Sequence, residues 1–116
     1  MKKISVGFLV FNENESLKQT ILKAHSSLKR FSNDFEICVF DNNSSDGTSK
    51  TVEDLCKEIN ELVLFKQSKN IGYAQNLHSA ISNMNANFIF VIDGDGQYDV
   101  DDVKDSIRLL ENNDVI

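Results

Sequence analysis

Apolar residues fall into two alternating patterns along this chain. Short runs rich in Val, Ile and Phe occupy 4–11, 35–40, 62–66 and 87–92, and longer segments between them repeat apolar positions every three or four residues. Runs of the first kind predict buried β-strands, segments of the second kind amphipathic helices, and their alternation predicts βαβ units around a largely parallel sheet. The first helix is expected over about 15–29, with Leu17, Ile21, Ala24 and Leu28 facing inward. A second over about 49–59 carries Val52, Leu55, Cys56 and Ile59, and a third over about 73–84 carries Ala74, Leu77, Ile81 and Met84. Val103, Ile107 and Leu110 mark a fourth, over about 100–111.

Right-handed crossovers place such helices on both faces of the sheet, and ligands bind outside the carboxyl ends of the strands. The polar clusters of the chain gather at those ends. Phe11-Asn12-Glu13 ends the first strand, and Asp41-Asn42-Asn43-Ser44-Ser45-Asp46-Gly47-Thr48 ends the second. Lys69-Asn70-Ile71-Gly72 follows the third, and Asp93-Gly94-Asp95-Gly96-Gln97 ends the fourth.

Composition narrows the class. Hydrophobic residues make up 41% and charged residues 26% of the chain, as in ordinary globular proteins. Twelve basic and 18 acidic side chains give a formal charge of −6, and the absence of a basic run argues against a nucleic-acid partner. No apolar run reaches membrane-spanning length, and Met1-Lys2-Lys3 leads into a strand pattern instead of a secretory signal, so a cytoplasmic location is expected. Residues 1–116 are expected to form one domain. Cys38 and Cys56 read as small core hydrophobes. After Asn113-Asp114, Val115-Ile116 reads as the opening of a fifth strand, which leads us to expect a piece of a longer protein.

Asp93 and Asp95 carry the clearest chemistry. Alternation along a strand would put these two carboxylates on one face, roughly 6.5 Å apart. Hard oxygen donors at a strand end suit Mg²⁺ or Mn²⁺ sharing its remaining sites with water and substrate phosphates. Gln97 adds a third oxygen on the same side. Each of the other clusters also has an ordinary structural account. Residues 41–48 make a good βα turn with Thr48 or Ser49 as helix cap, Glu13 suits a helix's first turn, and Asn70 and Gly72 suit a turn. His25 and His78 lie on helices without companion ligands and read as surface or satisfied histidines. It is the convergence of the polar clusters at one sheet edge that favours a common binding crevice.

With these motifs in order, the chain resembles the inverting family 2 glycosyltransferases of the GT-A fold. The resemblance is strongest to the branch of dolichyl-phosphate mannose synthases and bacterial polyprenyl-phosphate sugar transferases. It rests on Phe11-Asn12-Glu13-Asn14-Glu15-Ser16-Leu17, Asp41 to Thr48, Asn70-Ile71-Gly72-Tyr73-Ala74-Gln75-Asn76 and Asp93-Gly94-Asp95-Gly96-Gln97-Tyr98. It implies an α/β, Rossmann-like nucleotide-diphospho-sugar transferase fold, here cut short. It also implies that Phe11 and Glu13 line the nucleoside pocket, that Asp41 holds the base or ribose, and that Asn70 and Gly72 shape the opposite wall, with Asn12 and Asn43 among the substrate-binding positions. Asp93 would contact the ribose or the metal's water shell, Asp95 would ligate the metal on the diphosphate, and Gln97 would assist.

The implied partners are a nucleotide-diphosphate sugar and a lipid-phosphate, saccharide or other acceptor, with any membrane contact made through a part C-terminal to this chain. A bare sheet edge would also favour self-association. The chain departs from the resemblance in two ways. Leu9-Val10-Phe11 lacks the proline that often precedes the aromatic residue. The acceptor half and its general base are expected beyond Ile116.

Two other nucleotide or signalling folds fit less well. A phosphoacceptor receiver needs an acid after the third strand, where Leu64-Phe65-Lys66-Gln67 has none, and a dinucleotide-binding oxidoreductase needs a glycine fingerprint after the first. A non-catalytic nucleotide-binding or assembly module is the remaining alternative.

Overall fold

The computed structural model describes residues 3–94 together with Asp102, Asp105, Ser106 and Arg108. Those last four are helical, in the stretch where the fourth helix is expected, whose other residues lie outside the described set. The elements run β1 (Ile4–Val10), α1 (Asn14–Phe31), β2 (Phe35–Asp41), α2 (Thr48–Cys56), β3 (Leu62–Lys66), α3 (Tyr73–Asn83) and β4 (Phe88–Asp93). The four strands form one sheet in the order β3-β2-β1-β4, and every pairing is parallel. None of the described helices is long and apolar enough to cross a membrane.

Alternation along β1 divides the core in two. Ile4, Val6, Phe8 and Val10 pack with Leu17, Ile21, Ala24 and Leu28 of α1 and with Val52 and Leu55 of α2. On the opposite face Leu9, Cys38 and Phe40 pack with Ala80 and Met84 at the end of α3. The first two helices therefore cover one face and α3 the other. Burying these side chains supplies the main drive for folding, about 1.5–3 kcal/mol for each large one. Gly7 lies under Met84, and a Cβ there would stand 2.9 Å from the methionine sulfur, so the missing side chain lets α3 approach β1.

The structure corrects several boundaries. β2 runs one residue further than expected, so Asp41 is the last ladder residue, paired with Val10, and not the first residue beyond the strand. The second helix begins after Gly47, whose φ of +90° an L side chain rarely adopts, and neither Thr48 nor Ser49 caps it. Asp46 does that work from outside, accepting bonds from the Thr48 amide and hydroxyl. That helix also stops at Cys56 instead of continuing to Ile59, which is still buried.

α3 turns Asn76, Ala80 and Met84 inward and packs Leu77 beside them, so Leu77 and Met84 of the expected stripe meet the core, while Ala74 and Ile81 face outward. Asn76 turns inward because its Nδ2 donates to the Phe40 carbonyl at 3.0 Å. A polar residue at the first inward position disguised the stripe. Both cysteines are free thiols, as expected: Cys38 is buried and Cys56 half-buried. His25 is a satisfied histidine, its Nε2 lying 2.9 Å from Glu61.

Candidate functional site

The sheet changes its direction of winding between β1 and β4, since β1 leads outward through β2 to β3 and the chain then crosses back to place β4 on β1's other side. At such a switch point the connections leave to opposite faces and open a crevice at the carboxyl ends of the strands. A cavity of about 390 Å³ occupies this place. β1 and the turn after it contribute Leu9, Val10, Phe11 and Glu13; β2's end contributes Asn42, β4's end Asp93, and the β3–α3 link and α3 contribute Asn70, Tyr73 and Asn76.

Strand register decides which side chains face the cavity. Asp93 pairs with Leu9 and so points to the α3 side, whereas Asp41 pairs with Val10 and points to the α1–α2 side. Asp41 is completely buried there; its Oδ1 accepts bonds from the Ser44 amide and hydroxyl, and its Oδ2 has no partner among the described residues. Its neighbour Asn42 faces the cavity and accepts a 2.8 Å bond from the Ile71 amide, pinning the link between β3 and α3. Asn42 is a lining residue that the sequence reading passed over. Extending the strand by one residue would have found it.

Of the residues singled out from sequence, Phe11, Glu13, Asn70 and Asp93 line this cavity together. Phe11, 45% exposed, offers an aromatic face at its rim. Asn70 accepts a bond from the Gly72 amide, and Gly72 itself holds φ +83° in open space beside Tyr73. Asn12 and Asn43 both adopt positive φ. Asn12 lines a separate acidic concavity with Glu13, Asn14, Glu15, Ser16 and Asp46; Asn43 is exposed and lines neither. Asn12 ties the two loops together, its amide donating to Ser44 Oγ and its Oδ1 accepting from the Ser45 amide. Asn14 extends the tie to Asp46 and Thr51.

Asn76 and Tyr73 are lining residues to which the sequence reading gave no role. Asn76 is 2% exposed, and its Oδ1 has no partner among the described residues. Such an orphan is costly. Tyr73 donates its hydroxyl to Asp93 Oδ1 at 3.0 Å across the crevice, and this bond raises the phenol's pKa. Asn76 stands one helical turn before Ala80 and two before Met84, the spacing of a single helix face.

The metal ligands proposed from sequence are only partly in view. β4 ends at Asp93 and Gly94 is in a turn; Asp95 and Gln97 lie outside the described residues. Among the described residues no three His, Cys, Asp or Glu side chains converge as a ligand set. Asp93 presents one exposed carboxylate to the cavity, consistent with an ion that takes only one or two protein carboxylates and completes its shell from phosphates.

Comparison with known proteins agrees with this architecture. The chain is 26% identical over 98 residues to an undecaprenyl-phosphate 4-deoxy-4-formamido-L-arabinose transferase of Proteus mirabilis, covering 84% of this chain and 30% of that protein. Its fold superposes with a TM-score of 0.80 on the mannosyltransferase PcManGT from Pyrobaculum calidifontis in complex with GDP-Man and Mn²⁺, at 20% identity, covering 94% of this chain and 32% of the other. On S. aureus TarS 1-349 in complex with UDP the TM-score is 0.74 at 20% identity, with 95% and 32% covered. The parallel sheet and its flanking helices thus match GT-A glycosyltransferase structures, and the chain spans about a third of the length of these proteins. A match to the family described as glycosyl transferase family 2 extends over residues 5–116, and the chain belongs to that family.

Proposed function

We propose that this chain is the donor-binding part of an inverting glycosyltransferase and that the switch-point cavity holds the nucleoside diphosphate of an activated sugar. One observation carries the reading: side chains from four separate segments, Phe11 and Glu13, Asn42, Asn70 and Tyr73, and Asp93, converge on one cavity. Phe11 supplies a face for a base, and Asn42, Asn70 and Asp93 supply groups for base and ribose hydrogen bonds. The described lining includes two carboxylates and neither lysine nor arginine. A diphosphate seated there needs a counter-cation. Mg²⁺ or Mn²⁺ held by Asp93 and Asp95, with Gln97 assisting, would neutralise the leaving diphosphate. The acceptor would be a polyprenyl phosphate or a saccharide, selected by residues outside this chain, and the site would work on the cytoplasmic side of a membrane.

Titration calorimetry tests this with UDP, GDP and CDP, each with and without Mn²⁺, on the wild-type chain, Asp95→Ala and Asp93→Ala. At least one nucleotide should bind in a metal-dependent way, and either substitution should weaken it at least tenfold. A folded wild-type chain that binds none of the three under any condition would refute the donor-site reading.

A further inference from the structure

The Tyr73–Asp93 bond joins the two walls of the crevice, and neither partner is held by burial. Tyr73 is 61% exposed, Asp93 is exposed, and they come from the first residue of α3 and the last residue of β4. An exposed carboxylate at a strand end normally samples several rotamers, and a ligand must select one of them. The phenol hydroxyl fixes one instead, and it does so without exhausting the acceptor. An ionised carboxylate has about four lone-pair sites, so the bond to Oδ1 leaves Oδ2 and the rest of Oδ1 for a ligand.

The backbone around Tyr73 is held on the same side. Asn42 accepts from the Ile71 amide, Asn70 accepts from the Gly72 amide, and the Gly72 carbonyl accepts from the Asn76 amide to close the first turn of α3. The ring is thus carried on an anchored turn, and its hydroxyl reaches across to the carboxylate.

We infer that Tyr73 is a positioning residue that presets the Asp93 carboxylate for a nucleoside diphosphate. The inference rests on the donor-site reading above. Removing the hydroxyl frees the carboxylate rotamer, and fixing it again on binding costs about 1 kcal/mol, equivalent to about fivefold in affinity.

The test is a double-substitution cycle on the 116-residue chain, using Tyr73→Phe, Asp93→Ala and the pair, with UDP, GDP and CDP titrated to millimolar concentration in Mn²⁺ and followed by NMR. Tyr73→Phe should weaken binding of the nucleotide that the wild type takes by about fivefold and leave the melting temperature within about 2 °C, since the ring stays and the site is exposed. In the Asp93→Ala background the same change should cost less than twofold. Equal losses in both backgrounds would mean that Tyr73 touches the nucleotide itself, and unchanged or tighter binding by Tyr73→Phe would mean that the hydroxyl is idle or competes for Asp93. Either result overturns the inference while leaving the donor site standing. A folded wild type that binds none of the three nucleotides overturns both.

Discussion

Gly94→Ala tests whether the end of β4, and with it Asp93, is held by close packing. The Gly94 amide donates to the Leu9 carbonyl at 2.9 Å, which brings the backbone of β4 directly against β1. A Cβ at Gly94 would lie 2.8 Å from Val10 Cγ2 and 3.2 Å from that same Leu9 oxygen. Neither neighbour yields cheaply. Val10 is buried and β-branched, with restricted rotation about χ1, and the carbonyl belongs to the sheet backbone. Overpacking of this kind costs about 1–3 kcal/mol. A middle value of about 2 kcal/mol corresponds, for a domain of this size, to a melting temperature lower by about 8 °C.

Gly7→Ala is the internal control. Its Cβ would meet Met84 Sδ and Cε at 2.9 Å and Phe40 Cε2 at 3.1 Å. The methionine end is flexible, so a smaller cost of about 1 kcal/mol is expected. Thermal melts and urea titrations followed by circular dichroism give both values, and nucleotide titration should show the larger affinity loss in Gly94→Ala, because only Gly94 adjoins Asp93. Melting of Gly94→Ala within about 2 °C of wild type, or a larger loss in Gly7→Ala, would refute the packing argument.

Two other outcomes follow from particular contacts. Burial first, and then the nearby Glu36 charge, pushes the Cys38 thiol from 9.0 up to about 12, so at pH 8 the folded protein should leave this thiol unreacted with an aromatic disulfide reagent while half-buried Cys56 reacts. The sign of the linked stability is set by the unfolded state: its thiol ionises above pH 9.0 while the folded one stays protonated, so stability is fully present below pH 9.0 and is lost toward about 12. The slope reaches up to about 1.4 kcal/mol per pH unit and should diminish in Cys38→Ala; identical alkaline urea curves for the two proteins would count against it. Asn42→Ala removes the acceptor for the Ile71 amide, at a cost of about 1 kcal/mol. Hydrogen exchange at Ile71 should quicken and nucleotide affinity fall, and unchanged exchange would show that the link is held by something else.

Much of the site was legible because it lies where chain pattern and topology coincide. Phe11, Glu13, Asn70 and Asp93 each lie at or soon after the carboxyl end of a strand, and a parallel sheet necessarily gathers such residues at one edge. The misplacements came from single-residue phase. Asp41 was read as a ligand group at the loop's start, but β2 includes it, and alternation carries its side chain to the α1–α2 face and leaves Asn42 in the cavity. In α3 the apolar pattern placed Leu77 and Met84 against the core but also Ala74 and Ile81, whereas the Asn76 bond to Phe40 rotates the inward face toward Asn76 and Ala80. Asn12 and Asn14, which lie beside the site in sequence, are largely engaged in joining the β1–α1 and β2–α2 loops.

Sequence by itself determined the alternating elements, the parallel sheet and the strand ends at which chemistry would lie, because hydrophobic period and turn residues are local properties. The tertiary structure alone decided the strand order, the switch point between β1 and β4, and which of two adjacent polar residues faces the cavity. It also decided that Tyr73 meets Asp93. Those depend on register and on packing across residues distant in the chain, where a shift of one position turns a side chain to the opposite face. Asp93 was conspicuous in the sequence; the tyrosine that orients it became visible only when α3 was folded back over the sheet.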